Sequence, residues 1–221
     1  MARSGSEKGN PKGNPKRCEP AIRYGSFEFP NAADDEKRPR LIEIRPERSD
    51  DADAIRAVTR AAFAGAAHSS GTEAAIIDAL RAAGVLTVSL VALQNGAIVG
   101  HVAFSPVTID GQAGAWFGLG PVSVQPDRQR AGVGQALIRQ GLDRLKHLNA
   151  EGCVVLGDPA YYGRFGFKSD PALRYADVPP EYFQWLAFAG AMSAGAMSAG
   201  AMSASAMPRG EVAYHPGFAA T

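Results

Sequence analysis

Residues Leu119 to Leu137, LGPVSVQPDRQRAGVGQAL, constrain the fold more than any other stretch of this chain. Val122-Ser123-Val124 is rich in β-branched residues, and Gln125-Pro126-Asp127 turns the chain. Gln129-Arg130-Ala131-Gly132-Val133-Gly134 comes next, followed by a helical pattern. This order predicts a strand, a glycine-bearing loop and a helix N-terminus. Such a junction can hold a phosphate group. The first amides of a helix lack intrahelical partners, and the macrodipole adds about half a positive charge there. Glycines let the backbone approach an anion closely, and Arg128 and Arg130 can add positive charge. The spacing excludes two common phosphate loops. A P-loop needs a lysine and a Ser or Thr after its second glycine, where this chain has Gln135 and Ala136. A dinucleotide fingerprint needs a third Gly or Ala at position 137, where this chain has Leu137.

What remains is Q-x-x-G-x-G, from Gln129 to Gly134. An ordinary tight strand-to-helix loop would read the same over six residues. A second motif adds specificity. Gly152 ends the helical pattern, Cys153-Val154-Val155-Leu156 reads as a buried strand, and Gly157-Asp158-Pro159 turns the chain. The following residues, Ala160 to Phe167, contain Y-x-x-x-G-F with its tyrosine at Tyr162. In this order, one helix and one strand apart, the two motifs resemble those of the GNAT acetyltransferase superfamily. The resemblance covers roughly Leu41 to Phe167. Within the superfamily, LGDPAYYGRFGF is most similar to a group of small bacterial acetyltransferases of uncertain substrate.

Composition sets the remaining bounds. A chain of 221 residues suits one domain with extensions, and 46% hydrophobic residues support a normal core. The formal net charge of +1 gives no global nucleic-acid signal, so no nucleic-acid partner is expected. Cys18 falls in a polar tail and Cys153 in an apolar strand, so no disulfide is expected and a reducing cytoplasm is the natural location. His68, His101, His147 and His215 show no metal-ligand spacing, so no metal is expected. No apolar run is long enough to span a bilayer, so no membrane partner is expected. The N-terminus lacks a signal-peptide apolar region, and Glu7 and Glu19 argue against an organellar transit peptide.

Residues 1–39 read as a disordered N-terminal extension, with GNPK in tandem and much Pro, Gly and charge. Residues 40–221 read as a single domain with a low-complexity insertion at 189–207, AGAMSAGAMSAGAMSASAM. The domain is expected to open with a strand at Leu41–Ile44. A helix capped by Asp50 or Asp51 should follow, burying Ile55, Val58 and Ala62. Ser70-Gly71-Thr72-Glu73 fits a capping box for a second helix, which stops at Gly84. Leu86–Leu93, Ala97–Phe104 and Ala115–Val124 then read as three strands joined by turns at Asn95-Gly96 and Asp110-Gly111. Residues 122–124 and 153–156 should pair in parallel around the helix at 135–149. Gly118, Gly120 and Pro121 predict a bulge. Tyr182–Phe188 fits a short helix or a strand, and Glu211–His215 a last strand. The fold class is therefore α/β (mixed α+β): a central mixed sheet, an antiparallel meander followed by a parallel strand pair, flanked by helices. The resemblance adds that this parallel pair is splayed, as in GNAT proteins, with the opened strand hydrogen-bonding the pantetheine arm of CoA.

The resemblance implies an acetyl-CoA-dependent N-acetyltransferase that moves an acetyl group directly to a primary amine in a ternary complex. Acetyl-CoA enters as co-substrate, and the acceptor is a small-molecule or protein amine. By position, Val122, Ser123, Val124, Gln129, Arg130, Ala131, Gly132, Val133 and Gly134 would hold CoA, largely through main-chain amides. Tyr162 is the candidate acid, because a phenol of reference pKa about 10 can protonate a departing thiolate at neutral pH. Tyr161 reads as its packing partner. Arg164 can reach a phosphate or stand in solvent. Many family members carry a carboxylate on the strand before the phosphate loop, but Ala115-Trp116-Phe117-Gly118-Leu119 offers none. Glu73, His101, Asp158 or water remain open as the base. Two other readings fit the loop: a non-catalytic acyl-CoA-binding regulatory module, and an acyltransferase using another donor such as succinyl-CoA. A homodimer is compatible with the chain.

Overall fold

The structure is a computed structural model, and it describes residues 42–65, 71–188 and 209–220. The expected N-terminal extension and the 189–207 repeat lie outside these residues, as do Cys18, His68 and Ser70.

An eight-stranded mixed sheet organises the fold. β1 (Glu43–Pro46), β2 (Val88–Gln94), β3 (Ala97–Ile109) and β4 (Gln112–Val124) pair antiparallel in that order. Both predicted hairpin turns form, and each needs two residues of positive φ. Asn95 and Gly96 adopt 51° and 78°, and Asp110 and Gly111 adopt 49° and 73°. β5 (Gly152–Leu156) lies parallel to β4, as a strand–helix–strand connection allows. β7 (Phe183–Ala187) completes that side, so Tyr182–Phe188 resolves as a strand. β8 (Gly210–Tyr214) pairs with the far end of β3 and with the two-residue β6 (Leu173–Arg174).

α3 (Val133–His147) covers one face of the sheet and buries Val133, Leu137, Ile138, Leu142 and Leu145. These side chains meet Leu90, Ala92, Val102 and Phe104 from the sheet. Gly141 allows the contact to close, since a Cβ there would strike the Phe104 ring. Burying one such aliphatic side chain is worth about 1.5–3 kcal/mol. α1 (Ala52–Phe63) and α2 (Glu73–Ala82) cover the other face. There, Ile55 and Ile77 pack on Val91, whose side chain is opposite in direction to Leu90 and Ala92 because strand side chains alternate.

Three local expectations differ from the structure. The parallel register is Trp116–Leu119 against Gly152–Val155, so residues 122–124 are not the paired segment. The bulge is the reason. Val102 pairs with Val122 and Phe104 with Leu119, so Gly120 and Pro121 together face Ala103 and turn the rest of β4 away. Asp51 sits at the N-cap of α1, but its carboxylate accepts from Arg45 at 2.5 and 2.9 Å and from the Arg48 amide at 2.7 Å. The charged guanidinium outcompetes the helix amides. α2 begins at Glu73 with Thr72 as N-cap, so Glu73 is its first residue and not the third of a capping box.

Candidate active site

The loop after β4 builds a site from backbone. Arg130 and Gly132 adopt φ of 60° and 86°, and this pair of left-handed residues folds the chain back before α3. The first helical hydrogen bond runs from the Ala136 amide to the Gly132 carbonyl at 3.0 Å. The amides of Val133, Gly134 and Gln135 therefore precede the helical ladder and are available to an anion. The Gln129 side chain donates to the Val124 carbonyl at 3.2 Å and ties the loop to the strand end. Arg128 is paired with Asp127 at 3.1 Å, so Arg130 is the less encumbered of the two cations.

A groove of about 580 Å³ opens beside this loop. Val122, Val124, Gln129, Arg130, Gly132 and Gly134 line it, and all six are sequence-predicted site residues. Three other predicted residues stand differently. Ser123 points to the opposite face, is 1% exposed and shares a 3.1 Å hydrogen bond with Thr59. The Val133 side chain is buried in the core, leaving its amide as its contribution. Ala131 is exposed on the loop. The strand alternation that puts Val122 and Val124 in the groove puts Ser123 behind it.

Tyr161 and Tyr162 pack together, as expected, and Tyr161 also reaches the groove. Tyr161 lines the groove, and its hydroxyl lies 3.2 Å from where a Cβ on Gly134 would stand. Arg164 also lines the groove, with its guanidinium 4.6 Å above the Tyr161 ring. Tyr162 sits behind Tyr161, edge-on to it at 5.0 Å and to Phe167 at 6.0 Å. Its ring covers Gly157, just past the end of β5, where a Cβ would collide. Burial pushes the Tyr162 phenol well above its ordinary pKa, with Tyr161 and Cys153 adding to the shift, so it stays protonated at neutral pH. Both tyrosines stand on α4 (Pro159–Tyr162), which starts when the Asp158 carboxylate caps the Ala160 amide at 2.8 Å.

None of the three candidate bases lines the groove. Asp158 is the cap just described. Glu73 opens α2. His101 is fully buried on β3, with its Nε2 2.8 Å from Ser89 Oγ and 3.6 Å from the Glu47 carboxylate. Ser89 donates to Glu47, so its oxygen accepts from His101 Nε2–H, and the ring is neutral with Nδ1 unprotonated. Burial lowers the His101 pKa despite the neighbouring carboxylate. Among the described residues no group of three or more His, Cys, Asp or Glu side chains could hold a metal. No helix among them is long and apolar enough to cross a membrane. Sequence reasoning missed Ala62, Phe63 and Gln135 as groove residues. Ala62 and Phe63 end α1, and nothing in their spacing signals which end of the helix meets the loop.

The family model described as an acetyltransferase (GNAT) domain matches residues 43–169. An uncharacterised N-acetyltransferase of Escherichia coli K12, YhbS, is 40% identical over 126 residues, 57% of this chain and 72% of its own. A crystal structure of a GNAT family acetyltransferase from Brucella melitensis in complex with acetyl-CoA is 48% identical, with a TM-score of 0.66. The match covers 81% of this chain and 99% of that one. The Escherichia coli YhbS structure in complex with CoA is 34% identical with a TM-score of 0.68, over 80% and 92% of the two chains.

Proposed function

The chain belongs to the GNAT acetyltransferase family, and from that premise we propose that it transfers an acetyl group from acetyl-CoA directly to a primary amine in a ternary complex. One observation carries the reading. β4 leaves β5 after Leu119, and the released segment runs into the loop whose Val133–Gln135 amides precede the helical ladder. That arrangement suits a long ligand with a pyrophosphate at one end. The phosphates would lie on the Gly132–Gln135 amides with Arg130 and Arg164 nearby. The pantetheine arm would follow Val122 and Val124 towards the root of the split.

Binding both substrates in one cleft replaces a bimolecular encounter with an oriented one, worth up to roughly 7–11 kcal/mol of the barrier. In the reaction, the amine nitrogen attacks the thioester carbon, the C–S bond breaks and the sulfur takes a proton. We assign that proton to Tyr162. Its hydroxyl makes no hydrogen bond among the described residues, and its raised pKa keeps it protonated before the C–S bond breaks. The phenolate then receives the proton shed by the amide nitrogen, so the cycle closes without a carboxylate base. Tyr161 and Arg164 serve the groove wall.

The test is CoA thiol release from acetyl-CoA across a panel of primary amines, with product masses measured for the parent and for Tyr162→Phe. We expect amine-dependent release in the parent and a fall of about 10²–10⁴-fold in the variant. The affinity for CoA should change much less. Near-parental turnover in the variant would assign the proton to another group. CoA binding without amine-dependent release from any acyl-CoA would favour the regulatory module.

A further inference from the structure

Three buried polar side-chain atoms with no hydrogen-bond partner among the described residues converge on one row of the sheet. Ser105 on β3 pairs with Gly118 on β4, Gly118 with Val154 on β5, and Val154 with Trp185 on β7. Residues paired across strands point to the same face, so this row presents Ser105 and Trp185 on one side. It is the side away from α3, because Cys153 and Val155 belong to the α3 core and Val154 to the opposite one. Tyr214 joins the row from β8. It pairs with Val107, and its ring reaches over Gly118, where any Cβ would collide with it. Ser105 Oγ, Tyr214 OH and Trp185 Nε1 are all enclosed and lack a hydrogen-bond partner among the described residues. Native structures leave few such atoms, and three on one row need an explanation.

The position of the row supplies one. Gly118 lies one residue before Leu119, the last residue of β4 paired with β5. Two residues on, at Gly120, the chain faces open space, with nothing within 4 Å of a hypothetical Cβ. The row is therefore at the root of the split, on the face opposite Tyr162, which packs with the α3-side core. We propose that Tyr214, supported by Ser105, receives the acceptor amine. Its phenolic oxygen accepts a hydrogen bond from the attacking N–H and holds the nitrogen against the thioester, while the leaving sulfur meets Tyr162 from the other face. Residues 115–119 of β4 carry no carboxylate, and the Tyr214 ring fills the space a side chain at Gly118 would take. Burial first, then the nearby Cys153, Tyr175 and Tyr162 side chains, keep the Tyr214 phenol protonated. It therefore holds the nitrogen and does not deprotonate it. No bond of the transfer changes: the nitrogen still sheds its proton to the Tyr162 phenolate.

The proposal rests on the groove being the acetyl-CoA site, and the test separates the two. The probe is the N-methyl amide of S-carboxymethyl-CoA, which carries an amide N–H beyond the sulfur, compared with plain CoA by calorimetry. The parent should bind the amide roughly tenfold more tightly than CoA, the worth of one added hydrogen bond. Tyr214→Phe should lose that gain while keeping the parental affinity for plain CoA. Ser105→Ala should lose part of it. Tyr214→Phe keeps the ring over Gly118 and removes an unpartnered hydroxyl, so its melting temperature should not fall. If the parent gains nothing from the amide, or if Tyr214→Phe keeps the full gain, the proposal is overturned and the three atoms serve the core alone. If the parent fails to bind plain CoA, the reading of the groove itself is wrong.

Discussion

The two halves of β4 share one strand but answer to different demands. Phe117–Leu119 pairs with β3 on one side and Trp116–Leu119 with β5 on the other, with Trp116 and Leu119 buried. Among the described residues, Val122–Val124 pairs with β3 alone, and its two valines line the groove. Gly120 and Pro121 separate the halves. Pro121 has no amide to donate, and the bulge rotates the C-terminal half of the strand away from β5. A strand buried on both edges is scaffold. The same strand with one edge released exposes backbone groups and valine faces to a ligand. The difference teaches that the site is made by withholding a pairing, with few dedicated polar side chains.

The comparison makes predictions that can break it. The largest effect should come from the released side. In Gly134→Glu, a Cβ already 3.2 Å from the Tyr161 hydroxyl and 3.5 Å from Val124 would carry a carboxylate into the groove. CoA affinity should fall by at least about 100-fold, with the melting temperature close to that of the parent, because the charge opposes the phosphates and the site is solvent-facing. Calorimetry showing parental CoA affinity in the folded variant would remove the loop from the site.

The paired half should give the opposite signature. A Cβ on Gly152 would meet the Trp116 ring and lie 2.6 Å from the Leu186 carbonyl oxygen. Gly152→Ala should cost about 1–3 kcal/mol through overpacking, or roughly 2–12 °C in melting temperature for a domain of this size. CoA affinity of the folded fraction should hold. A large loss of affinity at unchanged stability would mean that the two halves are not separable.

Acid should load the scaffold most gently. Burial opposes ionisation of Glu47, but the adjoining His101 and hydrogen bonds from Arg81 and Ser89 outweigh it and hold the carboxyl at about 2, against an ordinary 4.5. A carboxylate with a lowered folded pKa stabilises above its unfolded value and loses that contribution as pH falls towards the folded one. His101 has its pKa lowered by burial, so it favours the fold fully above its ordinary 6.5 and less below it. Folding stability should therefore fall between pH 6.5 and 5, by at most about 1.4 kcal/mol per pH unit for one proton, and the melting temperature with it. It should drop more steeply between pH 4.5 and 2. A His101→Gln variant that leaves the upper part of this profile unchanged would assign it to another group.

Much of this fold was legible in the residues alone. The hairpins at Asn95-Gly96 and Asp110-Gly111, the loop of Gln129–Gly134 and the amphipathic face of α3 are local, because turn φ values and side-chain periodicity are set within a few residues. The family resemblance stood on Gln129, Gly132, Gly134, Tyr162, Gly166 and Phe167, which are also close in sequence. What the sequence could not decide is which groups meet across distance. Only the register of β4 against β5 decided that 116–119 pairs and 122–124 does not. Only the packing of α4 decided that Tyr161 faces the groove while Tyr162 lies behind it over Gly157. Tyr214 stands 96 residues after Gly118 in the chain, and only β8 pairing with β3 carries its ring to that glycine. Local rules specify the backbone at each motif. The meeting of side chains from β3, β4, β7 and β8 depends on sheet order and register, which are properties of the whole folded chain.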